Sequence, residues 1–147
     1  MLTIKLICVG KMKEKFYKDA YSEYAKRLSA YCRLELLELA ESSLDKEAEA
    51  VLKCLNSRAH VIAMAIEGNK ISSQQLAGKI RKIALSGTSE IDFIIGGSEG
   101  LDSRVKSRAD EMISMSDMTF PHHLARVMLT EQIYRAFKIN EGGTYHK

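Results

Sequence analysis

The sequence predicts an α/β fold: a mostly parallel sheet flanked by helices, in a single domain over residues 1–147. Three observations carry that reading. Short apolar runs of strand length alternate with segments whose apolar residues recur at helical spacing. Glycines and small polar residues punctuate the joints. No linker, repeat or low-complexity tract divides the chain, and its length suits one domain with a real core.

The elements follow in order. Leu2–Val9 reads as a strand ending at Gly10. A helix is expected over about residues 13–30, with Phe16, Ala20, Tyr24 and Leu28 inward and charges opposite. Leu34, Leu36 and Leu39 alternate with Glu35 and Glu38, the pattern of a less buried strand near an edge. Residues 45–55 form a short helix with Ser43 or Asp45 as its cap. His60–Ile66 reads as a buried strand stopped by the turn pair Gly68-Asn69. Ser72 or Ser73 caps a helix to about Leu85, with Leu76, Ile80 and Ile83 inward, and Ser86-Gly87-Thr88 breaks it. Ile91–Ile95 is a second buried strand running into Gly96–Gly100. A short helix over 103–109 and a weak strand over 111–116 follow. Phe120-Pro121 then opens a last helix over 122–139, with proline suited to its first position.

Composition narrows the class. Hydrophobic residues at 46% and charged residues at 28% suit a globular protein and not a disordered one. No apolar run approaches the roughly 20 residues that span a bilayer. The N-terminal run lacks a basic leader and is broken by Lys5, so it reads as a strand rather than a secretory signal, and a cytoplasmic location is expected. Cys8, Cys32 and Cys54 are odd in number and lack metal-like spacing, which predicts reduced thiols, no disulfide framework and no metal. The net charge of +3 is compatible with RNA but common elsewhere.

In parallel sheets, ligands sit beyond the carboxyl ends of strands. Three turns are expected there: Glu67–Asn69, Gly96–Gly100 and Met115–Phe120. Three glycines within Gly96–Gly100 permit close backbone approach, although a tight strand-to-helix turn alone would explain them. The segment lacks both the dinucleotide fingerprint and a phosphate loop. Met115, Met118 and Phe120 suit either core packing or the faces of a bound base. Arg126, Arg135 and Lys138 suit a solvated helix face. Three of the four histidines, His122, His123 and His146, fall near the end of the chain, and imidazole is suited to proton transfer near neutral pH. The closing Gly142-Gly143-Thr144-Tyr145-His146-Lys147 suits a frayed end or a mobile flap.

Several segments together resemble the RlmH family of SPOUT-class RNA methyltransferases. They are Val9-Gly10-Lys11, the F-I-I-G-G-S-E-G-L element Phe93–Leu101, Met118–His122, Glu131–Ile139 and the terminal Tyr145-His146-Lys147. The resemblance implies a sheet whose C-terminal part forms a deep trefoil knot, a homodimer, and S-adenosyl-L-methionine as cofactor. It implies N3-methylation of a pseudouridine in large-subunit ribosomal RNA, on the assembled ribosome. By the same resemblance, Met64, Gly96, Met115, Ser116, Asp117, Met118, Thr119 and Phe120 hold the cofactor. Tyr145, His146 and Arg135 are the catalytic candidates: His146 to take or orient a proton, Tyr145 to stack on the base, Arg135 to anchor a charged group. Met64 stands where relatives often carry leucine, and Thr144 where many carry proline. Two other readings stay open: a SPOUT enzyme acting on another RNA, and a non-catalytic nucleotide- or ribosome-binding module.

Overall fold

The computed structural model describes residues 1–147. Its strands are β1 (Thr3–Val9), β2 (Arg33–Leu39), β3 (His60–Lys70), β4 (Glu90–Ile95) and β5 (Glu111–Ser114). Its helices are α1 (Lys15–Leu28), α2 (Leu44–Cys54), α3 (Ser73–Leu85), α4 (Ser103–Arg108) and α5 (His122–Asn140). The strands make one five-stranded sheet in the order β2-β1-β4-β3-β5, parallel throughout.

Two-residue alternation divides the core between the faces of the sheet. Leu6 of β1 and Phe93 of β4 point toward α1, α3 and α5, where Leu28, Ile80, Leu129 and Ile133 meet them. Ile7, Val9 and Ile94 point the other way, onto Ala48 and Val51 of α2 and Val105 of α4. At the β2 edge every residue is half-buried or exposed, as its Leu–Glu alternation requires.

The helix starts follow local chemistry. Ser43 Oγ accepts from Lys46 N at 3.2 Å and caps α2. Ser72 and Gln75 satisfy each other's backbone N–H groups at 3.0 and 2.7 Å, a full capping box for α3. Pro121 occupies the cap position of α5 itself, one place earlier than expected, and its carbonyl accepts from Ala125 N at 2.9 Å.

Three expectations are corrected. Phe16 is 65% exposed, not inward. A strict four-residue repeat drifts about 40° per step on a 3.6-residue helix, so Phe16 lies about 120° around from Leu28. β3 does not stop at Gly68-Asn69. Its register with β5 shifts between Met64 and Asn69, so residues 65–68 bulge outward and the strand resumes through Lys70. Gly68 serves that bulge: a Cβ there would stand 2.7 Å from the Ile113 nitrogen, on the β5 backbone. Arg126, expected on a solvated face, is 0% exposed.

Candidate functional site

The carboxyl ends of β3, β4 and β5 open together into a cleft of about 650 Å³, ample for one small ligand. One wall is the β3 arch from Met64 to Glu67, a second is Ile95–Ser98 with Gly100 and Leu101, and the third is Ile113–Ser116 with Met118–Pro121. The central glycine is tightly enclosed. A Cβ on Gly96 would meet the Gly100 carbonyl oxygen and lie 2.7 Å from its carbon. The turn above it is closed by Gly100 N donating to Gly97 O at 3.0 Å, and Gly100 takes φ +77°. Within the third wall, Ser114 Oγ donates to Ser116 O at 3.0 Å, and Ser116 Oγ accepts from Met118 N at 3.0 Å. Those two bonds set the loop before α5 with Met115 and Phe120 half-buried and Met118 exposed.

Seven of the eight residues expected to hold a cofactor line this cleft: Met64, Gly96, Met115, Ser116, Met118, Thr119 and Phe120. Asp117 does not. Its exposed carboxylate pairs with Lys70 at 2.6 Å, tying the loop to the end of β3. A second tie crosses from the arch, where Glu67 meets Lys106 of α4 at 2.5 Å. That bond holds the Glu67 carboxyl below its ordinary range. Lys106, Glu67 and His122 also line the cleft; Glu67 belongs to an expected ligand turn and His122 to the histidine cluster, whereas Lys106 carries no sequence signal for the site.

The family model described as a predicted SPOUT methyltransferase matches residues 2–146. This chain belongs to the SPOUT methyltransferase family. A protein named ribosomal RNA large subunit methyltransferase H from Bifidobacterium adolescentis is 50% identical, with 99% of this chain and all of that protein covered. Proteins of the same name from Oenococcus oeni and Bacillus pumilus are 47% and 46% identical, covering 100% and 99% of this chain and all of each relative. A solved structure of a probable methylase family protein from Haemophilus influenzae shares the fold. Its TM-score is 0.54 at 12% identity, over 99% of this chain and 70% of that one.

In this SPOUT methyltransferase the carboxyl-terminal tail lies along α5 and lines no part of the cleft of its own chain. The expected mobile hinge is a helix cap. Gly142, at φ +78°, donates to Ile139 O at 3.0 Å, and Gly143 N donates to Lys138 O at 2.9 Å. This is the Schellman arrangement, and it turns the chain back on the helix. Tyr145 Oη then donates to Glu131 Oε2 at 2.8 Å, and Arg135 Nη2 donates to the same oxygen at 2.7 Å. Arg135 also lies 4.9 Å over the Tyr145 ring. Burial and the Glu131 bond raise the Tyr145 pKa, so the residue stays a phenol near neutral pH. Arg135 Nη1 contacts His146 Nδ1 at 3.0 Å. A guanidinium only donates, so Nδ1 accepts there, and the other ring nitrogen, Nε2, lies 3.0 Å from the Gln74 side-chain nitrogen. The structure thus brings Arg135, Tyr145 and His146 together, apart from the cleft.

An ion pair between buried Arg126 and solvent-accessible Glu38 joins the edge of the sheet to α5. Arg126 Nη1 donates to Glu38 Oε2 at 2.6 Å, and Nη2 to Gly10 O at 2.7 Å. Burial would raise the Glu38 pKa, but the Met12 N–H bond and Arg126 outweigh it and hold the carboxyl low. Burial pushes the nearby Cys8 thiol up to about 12 and Cys32 to about 11, so neither is a thiolate nucleophile at neutral pH.

Proposed function

We propose that this enzyme transfers the methyl group of S-adenosyl-L-methionine to N3 of a pseudouridine in large-subunit ribosomal RNA, on the assembled ribosome, as a cytoplasmic homodimer. The observation that carries the donor site is the enclosure of Gly96 and the Met115–Phe120 loop in one cleft. The fit is chemical as well as spatial. Met64, Met115 and Phe120 offer apolar faces to an adenine, and the glycine turn lets backbone approach where any side chain would intrude. The ribosomal substrate is read from relatives of the same length that carry that name.

The bound donor supplies an electrophilic methyl group on a sulfonium leaving group. The rest falls to the chain. The target imide nitrogen must face the cleft mouth, and alignment of this kind contributes up to roughly 7–11 kcal/mol. As that nitrogen gains the methyl group, its proton must leave. His146 is assigned to receive or orient it, a contribution of about 10²–10⁴-fold. Tyr145 presents a ring to stack on the base, and Arg135 holds both residues through the Glu131 hub. Because this trio lies off the cleft of its own chain, the working site is assigned to the cleft of one subunit and the tail of the other. In that setting His146 Nδ1 must exchange Arg135 for the substrate.

Nucleoside mass spectrometry of ribosomal RNA from cells lacking this protein tests the reading. Loss of one N3-methylated pseudouridine from the large subunit is expected. An unchanged modification set would remove the substrate assignment, and a lesion confined to transfer RNA would move the enzyme to another RNA.

A further inference from the structure

The start of α1 carries a basic, aromatic strip that the donor cleft does not use. Residues 11–18 hold four lysines and one glutamate, a formal +3. Two other short runs, 79–82 and 104–108, carry the same charge, but several of their cations are drawn onto acids. Lys79 meets Glu111 at 2.7 Å, Arg104 meets Asp45 at 2.6 Å, and Lys106 meets Glu67 at 2.5 Å. In the first run only Lys15 is paired, with Asp19 at 2.6 Å. Lys11, Lys13 and Lys18 are exposed and form no ion pair. Lys11 and Lys13 line a groove of about 620 Å³ with His123. The acids there are Glu14, Glu38 and Glu41. Glu38 is answered by Arg126, and Glu41 faces His122 at 3.6 Å.

The aromatic residues of the strip point somewhere specific. Phe16 is 65% exposed and its ring lies 4.4 Å from that of Tyr17. Tyr17 lies 6.2 Å from His123, and His123 lies 4.1 Å from His122. His122 lines the donor cleft. A file of four rings therefore runs from an exposed phenylalanine to the cleft, with unpaired lysines beside it. Burial, then the charges of His122 and Arg126, hold the His123 pKa low and favour a neutral ring that can stack. Bases stack on aromatic side chains while cations track their phosphates, and this combination tolerates any sequence. An acidic protein surface would use the lysines but would leave the ring file without a partner.

We propose that residues 11–18, with His123, are the docking strip for a single-stranded stretch of RNA beside the target nucleotide: phosphates on Lys11, Lys13 and Lys18, a base on Phe16. The proposal rests on the RNA-methyltransferase reading above. Phe16→Ala and the double variant Lys11→Ala/Lys13→Ala test it against wild type and against Arg81→Ala/Lys82→Ala on α3. The readouts are fluorescence anisotropy with a short single-stranded oligouridylate and KM for assembled ribosomes lacking the modification. Phe16→Ala is expected to weaken binding and raise KM about tenfold. The lysine pair is expected to flatten the slope of log affinity against log salt by about 1.4. The α3 variant, the kcat at saturating ribosomes and the donor affinity should stay at wild-type values. Affinity and KM within twofold of wild type, with an unchanged salt slope, would overturn the strip. A raised KM for ribosomes with unchanged oligonucleotide binding would also overturn it, by assigning the surface to a ribosomal protein. If wild type methylates no ribosomal RNA, the functional reading falls, and the oligonucleotide titrations still decide the strip.

Discussion

At the scale of single residues, two buried charges behave differently because of their partners. Arg126 has no exposure, and its partners are Glu38 and the Gly10 carbonyl. Arg126→Ala would unpair Glu38, whose carboxylate water can reach, and leave a void between the sheet and α5. A loss of about 2–5 kcal/mol, mostly from the void, is expected in denaturant unfolding. Asp92 is fully buried beside Glu90, and Lys5 reaches Glu90 at 3.3 Å. When both acids are ionised, Asp92 Oδ1 lacks a hydrogen-bond partner and Glu90 Oε2 has only the Lys5 ion pair. One shared proton resolves this. Burial, then the Glu90 contact, pushes the Asp92 pKa up to about 7, while Glu90 is held low. The folded chain therefore holds this proton more tightly than the unfolded chain. That contribution is complete below the ordinary aspartate range and is lost as pH rises through about 7. Asp92→Asn supplies a permanent donor to Glu90 and keeps the acceptor for Asn56 N. It should flatten the decline in stability between pH 5 and 8, a change on the order of 1–3 kcal/mol. Thermal unfolding across pH checks this, and an unaltered slope would contradict the shared proton.

At the scale of elements, the ends of α5 and β3 matter most. Gly142 occupies a left-handed cap that a side chain disfavours. Gly142→Ala should cost about 1 kcal/mol and loosen Tyr145 and His146 from Glu131 and Arg135. Methyl transfer should then fall several-fold while donor affinity holds, and calorimetry beside single-turnover assays separates the two. Equal losses in both would place the tail in the donor site instead. These same elements mark where sequence reading reached its limit. The alternating and helical patterns placed all ten elements, because burial on one or both faces imposes those periods. The Gly68-Asn69 pair, however, looks alike in a turn and in a bulge, and only the closeness of Ile113 distinguishes them. Gly142-Gly143 likewise suits a hinge or a cap, and the carbonyls at Lys138 and Ile139 decide for the cap. Arg126 gave no sequence signal, since its partner Glu38 is 88 residues away.

At the scale of the whole molecule, the cleft and the tail are separate in one chain, and the proposed activity joins them across a pair. Mixed dimers test that directly. Gly96→Ala blocks the proposed donor cleft and His146→Ala removes the proposed proton group, so each variant alone should be nearly inactive. Mixed in equal amounts after unfolding and refolding, half of the dimers carry one of each, and one of their two sites is intact. Recovery of about a quarter of wild-type activity is expected. No recovery would place both groups in the same subunit. The mouth of this cleft was legible beforehand because glycine and loop residues fall at strand ends, where parallel sheets bind ligands, while the individual cofactor residues came only from the family resemblance. The outward turn of Asp117 toward Lys70 was not legible from either.

The central claim is that the cleft around Gly96 holds the methyl donor. Isothermal titration of S-adenosyl-L-methionine into wild-type protein and Gly96→Ala tests it most directly. Saturable binding by wild type is expected, with binding abolished in a variant that keeps its fold by circular dichroism. Equal binding by the two proteins, or none by wild type, would contradict the account.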